Sequence, residues 1–158
     1  MCLSAPQIQM ASLLDPYKQQ ALSRFWRDTL IAGFCAAVLS GIPSTVYAWL
    51  VGDDLMQATR AAGAMLIPAN SSDAWLFAAA TVVHGSISLF WATVLSLVLP
   101  RERTTLWAIA ALAIIAVLDL RGIGPLFPEV YALPYWPQFA DHLAFGAVLG
   151  AVLQWRRR

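Results

Sequence analysis

The chain has 158 residues, of which 59% are hydrophobic and only 12% charged, where a soluble domain carries about 25% charged residues. That is too little charge to cover a water-facing surface, which argues against a soluble domain and for the bilayer as solvent. The net charge of +1 excludes the basic footprint of a nucleic-acid-binding protein.

The length suits one compact membrane domain, residues 1–158, with 1–28 as a cytoplasmic N-terminal segment. Cys2 and Cys35 make no disulfide framework. No lipidation motif surrounds Cys2, and Cys35 packs as a small apolar residue. A membrane-spanning helix needs about 20 mostly apolar residues, and the first such run covers about 29–50, from Arg27-Asp28 to Gly52-Asp53-Asp54. Gly33, Ala37 and Gly41 recur in it at intervals of four, a small-residue face suited to close helix contact. Pro43 predicts a kink. The basic flank and Val46-Tyr47-Ala48 also match a cleavable signal peptide. Cleavage would leave three helices and conflict with the C-terminal arginines.

The first outer loop, 51–73, predicts a short helix capped by Asp53 or Asp54 and running through Ile67, ended by Pro68 and the polar residues after it. Broken by Gln57, Arg60 and Gly63, it belongs in the outer interface. A second span follows at about 74–99, capped by Ser72 or Asp73. Its Thr81, His84, Ser88 and Ser96 share about 120° of one face at about 100° per residue. Such a stripe must face protein or water, because unsatisfied polar groups in lipid are costly.

Pro100-Arg101-Glu102-Arg103 turns the chain into a third span at about 105–120. Residues 121–138 hold Pro125, Pro128, Pro134 and Pro137 among aromatic residues, which predicts a stiff cover over the outer end. The fourth span, about 139–155, carries Gly146 and Gly150 as a GxxxG pair. The last two spans are short, and cross only if Asp119, Asp141 and His142 lie within the membrane.

The expected fold is therefore all-α, a four-transmembrane-helix bundle with an interfacial helix in the first outer loop. Eight of the ten basic residues fall on one side of it, which sets both termini in the cytoplasm by the positive-inside rule. Six of the seven tryptophans lie near helix ends, as an interfacial belt requires. Counted at about 1.5 Å per residue from the cytoplasmic charges, Ser40, His84, Asp119 and His142 rise roughly 18 to 26 Å. Asp141 is one residue further out, and Ser44, Arg60 and Arg121 stand as rim candidates. Ionisable residues within spans mark functional sites. The structural alternatives are end-of-helix charges, with Asp119 paired to Arg121 or Arg60, and a His84 that only bonds a neighbouring helix.

Arg60-Ala61-Ala62-Gly63, His84, the Pro100 turn, Leu133-Pro134-Tyr135-Trp136 and Asp141-His142-Leu143 give the chain a further likeness. It resembles the uncharacterised four-helix bacterial inner-membrane proteins of the YagU type over about residues 30 to 155. The resemblance implies an integral inner-membrane protein and carries no catalytic assignment.

Three functions remain open. One is an accessory, assembly or stress-related membrane protein with a polar intramembrane site near His84. The second is a proton- or solute-linked transporter or transporter subunit, since histidine titrates near neutral pH. The third is a redox protein with haem b between His84 and His142. The sequence carries no nucleotide loop, metal-ligand spacing, GxSxG or HExxH. It signals neither an enzyme nor a bound cofactor or metal, although Ser40 or Ser44, His84 and Asp119 are the residue types of a hydrolase triad. The partner expected is the lipid bilayer, with the glycine faces open to a homo-oligomer or a larger membrane complex.

Overall fold

The computed structural model describes residues 16–157, so Cys2 and Arg158 lie outside the described residues. All regular structure among the described residues is helical: α1 (Pro16–Ser40), α2 (Ile42–Val51), α3 (Gln57–Ala64), α4 (Asp73–Val98), α5 (Thr104–Leu118), α6 (Pro128–Tyr131) and α7 (Tyr135–Arg156). A π-helical turn (Asp119–Ile123) and a 3-10 turn (Gly124–Leu126) link α5 to α6. Among the described residues three helical stretches are long and apolar enough to cross a membrane: Pro16–Val51, Asp73–Val98 and Thr104–Leu126. The fourth long helix, α7, is not among them. Gln138, Asp141, His142 and Gln154 lower its hydropathy.

The distribution of side-chain size explains why a bilayer suits this chain. The core is built on small residues, with Ala32, Ala36, Ala92, Ala108 and Ala116 fully buried. Large apolar residues point outward, among them Phe34 (71% exposed), Leu97 (68%) and Ile114 (65%). In lipid, helices gain nothing by hiding leucine from leucine-like tails, so close approach at small residues holds them together.

The expected glycine contacts are largely present. A Cβ at Gly33 would sit 2.8 Å from Ala92 Cβ, one at Gly146 2.8 Å from the Ala108 carbonyl oxygen, and one at Gly150 2.6 Å from Thr105 Cα. These contacts seat α1 on α4 and α7 on α5. Gly41 is different: nothing lies within 4 Å of its would-be Cβ. It separates α1 from α2, so its place is the break and not a packed face.

The helix that contains the expected span at 29–50 begins further back, at Pro16, and the expected kink falls between Ser40 and Ile42. Pro43 lacks an amide hydrogen and cannot continue the ladder from the preceding turn. It is tolerated in the first turn of α2, where such donors have no helical partner. At the other end of α2, Gly52 adopts φ 72°, and the amides of Gly52 and Asp53 bond the carbonyls of Trp49 and Ala48. That left-handed close is one only glycine makes without strain.

The outer-loop helix is shorter than expected, ending at Ala64 rather than Ile67. The amides of Leu66 and Ile67 turn back to the Gly63 carbonyl. It also packs against α4. A Cβ on Gly63 would fall 2.1 Å from the Leu76 carbonyl oxygen. The fourth long helix starts earlier than residue 139, at Tyr135, because Pro137 occupies the first turn, where its missing N–H is harmless.

The long helices form a row, α4 against α1, α1 against α7, α7 against α5. Ala92 and Leu95 of α4 join Leu112 and Ile115 of α5 in one core with Phe145, Leu149 and Leu153 of α7. Beyond that shared core α4 and α5 make no extended contact.

At one end of the row the helices are tied by polar contacts. Arg156 Nε donates to Asp28 Oδ1 at 2.7 Å, and Arg157 Nη2 to the Ser96 carbonyl at 2.6 Å. The Thr105 amide and hydroxyl donate to Gln154 Oε1 at 3.2 and 3.1 Å.

Candidate functional site

The opposite end holds a cavity of about 580 Å³. Of the sequence candidates, Ser40, His84, Ser88, Asp119, Asp141 and His142 line it. The remaining lining is mostly apolar and includes Ile87, Phe90, Trp91, Leu112, Phe127 and Phe145. Four chain segments contribute the ionisable groups and their partners: the α1–α2 break, α4, the π-helical turn after α5, and the start of α7.

The break organises one half of the site. Ser44, in the first turn of α2, donates its backbone N–H to Asp141 Oδ1 at 3.0 Å, and its hydroxyl donates to Asp141 Oδ2. Gln138 Nε2 donates to Ser44 Oγ at 2.9 Å. Asp141 therefore caps, from another helix, the N-terminus that the break creates. The partial positive charge of a helix N-terminus favours a carboxylate there. Below it, His84 Nε2 lies 3.0 Å from the Ala37 carbonyl. A carbonyl only accepts, so Nε2 carries a proton and Nδ1 is the variable ring atom. The Ser40 hydroxyl donates to the same carbonyl at 3.2 Å.

The π-helical turn organises the other half by carrying Asp119 at its first position. Such widened turns recur at functional sites. His142 Nδ1 lies 2.8 Å from the Gln138 carbonyl, and Nε2 lies 3.4 Å from Asp119 Oδ2. The first contact requires Nδ1–H. The second then places one shared proton between ring and carboxylate, as imidazolium with carboxylate or as imidazole with carboxylic acid. Asp141, on the same turn of α7, is in electrostatic reach of both His142 and His84.

Thr81, Ser96, Arg60 and Arg121 lie outside the cavity lining. Thr81 is exposed on the outside of α4, its hydroxyl turned back to the Phe77 carbonyl. It shares the sector of the stripe but not the cavity. Ser88 and Ser96 are buried as expected. Arg60 pairs with Asp54 and, at 3.4 Å, with Asp73, fastening α3 to the start of α4. Arg121 stacks over the Tyr135 ring at 4.5 Å. Asp119 thus pairs with His142 and with neither arginine.

Gln138 is a residue of the candidate site that sequence reasoning missed. It bonds Ser44 through its side chain and His142 through its carbonyl. Its position four residues before His142 is the signal that could have found it, once α7 is extended through Pro137.

The ring nitrogens also bear on haem. Both nitrogens of His142 have protein partners, so ligating iron would break a contact to Gln138 or Asp119.

Among the described residues the fold is all-helical, with three helices apolar enough to cross a membrane and a pocket between helices that carries polar, ionisable groups. The sequence matches no family model, no curated protein and no solved structure.

Proposed function

We propose that the chain is a proton-linked membrane carrier of a small solute, or the solute-binding subunit of one. The observation that carries this reading is the contact of His142 Nε2 with Asp119 Oδ2 at 3.4 Å, where the two groups can share a proton, at the edge of a cavity of about 580 Å³. The break between α1 and α2 beside it supports the reading, because carriers build their sites from discontinuous helices whose half-helix ends face the ligand.

In this reading α7 is a fourth span, both termini are cytoplasmic, and the host membrane is the bacterial inner membrane. Support comes from the 22-residue length of α7, about 33 Å at 1.5 Å per residue. Arg27, Arg156 and Arg157 gather at one end, where Arg157 acts electrostatically with Arg101. The site lies at the other. In this reading the site opens to the outer side, and the pair exchanges its proton with water as solute enters.

The test is flux in proteoliposomes with an entrapped pH dye, against a panel of cationic, neutral and anionic solutes. At least one solute should evoke a proton flux that Asp119→Asn removes. Silence across the whole panel retires the reading.

A second reading, an accessory or assembly subunit in a larger complex or homo-oligomer, is favoured by the separation of α4 and α5 above their shared core. Native mass spectrometry from nanodiscs tests it: a monomer with full flux removes it.

A further inference from the structure

The cavity has a charge bias that a proton site alone does not use. Its titratable lining residues are His84 from α4, Asp119 from the π-helical turn, and Asp141 and His142 from α7. The linings from α1, α3, α5 and α6 do not titrate. Among the described residues no lysine or arginine lines it. Arg60 is held by Asp54 and Asp73, and Arg121 lies over Tyr135. Two carboxylates therefore face the space without a fixed cation, which disfavours an anionic guest.

The walls add a second bias. Phe90, Trp91, Phe127 and Phe145 line the cavity, and aromatic faces attract cations. On the α4 side, Ile87 and Phe90 line it while remaining exposed. The cavity is thus open along this part of α4, on the side of the helix where Ile87 and Phe90 stay uncovered. A guest enters from the apolar side. Walls this apolar and aromatic fit a cation that carries apolar groups of its own better than a bare, strongly hydrated ion.

Resting on the proton-linked reading of this site, we infer that its substrate is a lipophilic organic cation, an onium centre carrying apolar groups. The exchange balances one charge for one. The proton between His142 Nε2 and Asp119 neutralises that carboxylate. A cation seated beside Asp119 takes over that role, and the proton leaves Nε2 for water. His142 stays oriented by the Gln138 carbonyl throughout. The apolar groups lie against Phe90, Phe127 and Phe145.

The experiment uses the full chain in lipid nanodiscs, with tetraphenylphosphonium as probe and tetraphenylborate as an anion of the same shape. Calorimetry near pH 6, 7 and 8, in two buffers of different ionisation enthalpy and with empty nanodiscs subtracted, reads affinity and proton release. Expected are saturable phosphonium binding, about one proton released per cation, and affinity falling up to about tenfold per pH unit toward acid. Tetraphenylborate should show no saturable binding, and Asp119→Asn should weaken the phosphonium by about tenfold or more. Equal binding of the borate, or cation binding without proton release, overturns the inference. The charge comparison needs no variant, so a folding defect in Asp119→Asn cannot mask the result. If the phosphonium fails while a neutral or anionic solute drives Asp119-dependent flux, the substrate class is wrong and the carrier reading stands. If both assays are silent, both fall.

Discussion

Nε2 of His142 lies 3.4 Å from Oδ2 of Asp119, while Nδ1 of the same ring lies 2.8 Å from the Gln138 carbonyl. The carbonyl fixes which nitrogen is permanently protonated and leaves the other to share a proton with the carboxylate. Two residues sharing one proton should behave as a unit. Asp119→Asn and His142→Gln are each expected to lower proton flux by about tenfold or more, and the double variant to lose little beyond either single one. Proteoliposome flux measures this; additive losses would mean that the two side chains act separately.

Ser44 and Asp141 should govern stability at the break. Removing Asp141 orphans the Ser44 amide and hydroxyl together, whereas removing the Ser44 hydroxyl leaves the amide contact in place. A buried group losing its partner costs about 1–3 kcal/mol. Asp141→Ala is therefore expected near the top of that range and Ser44→Ala near the bottom. Unfolding by SDS titration in mixed micelles gives the order, and a larger loss for Ser44→Ala would show that the cap matters little.

Much of this site was legible because helix rise is a fixed ruler. Counting from the basic flanks of the helices put Ser40, His84, Asp119 and His142 within about 8 Å of one another in depth, and all four line one cavity. Rotation around the helix was read less well. A 120° sector is broad, and Thr81 fell inside it yet sits on the outer surface. The broken helix was signalled by Pro43, but nothing local could tell that its free amide is met by Asp141, 97 residues away. Gln138 was hidden because four prolines made residues 121–138 read as loop, although the first turn of a helix accepts proline. The close seat of Gly63 on α4 was likewise invisible, since it depends on a partner backbone in another element.

The glycines give a graded test of packing. Gly63→Ala drives a methyl into the Leu76 backbone, and Gly150→Ala drives one against Thr105 Cα, neither of which can swing aside. Overpacking of this kind costs about 1–3 kcal/mol, sometimes more. Gly41→Ala meets open space, and a substitution without contacts should change stability by no more than about 0.5 kcal/mol. Thermal unfolding in detergent should rank Gly63→Ala and Gly150→Ala well below Gly41→Ala. A severe defect at Gly41 would mean that the break itself tolerates no side chain.

The ion pair at the far end should separate stability from function. Arg156 and Asp28 are 2.7 Å apart with side chains 19% exposed, between a surface pair and a buried one. Arg156→Ala is expected to cost about 1–3 kcal/mol on that basis. Because it lies at the opposite end of α7 from His142, proton flux per folded molecule should be unchanged. A fall in specific flux would instead reveal that the two ends are coupled through the helix.

The membrane crossing of α7 is the remaining architectural test. Its hydropathy is low because Gln138, Asp141, His142 and Gln154 lie on a helix held inside the row, between α1 and α5. Phe145, Gly146, Leu149, Gly150 and Leu153 are buried, and it packs on α1, α2 and α5. Such a helix needs little lipid-facing apolar surface, since its polar residues at 138, 141 and 142 are met by protein groups and cost little in the bilayer. Single cysteines placed at Trp136 and Trp155, which are exposed, can be probed in intact cells with Cys2 and Cys35 replaced. A membrane-impermeant maleimide should label the variant at 136 from outside, and should reach the variant at 155 only after the membrane is opened. Equal labelling of the two in intact cells would place both ends of α7 on one side and reduce the protein to the three spans whose hydropathy suffices alone.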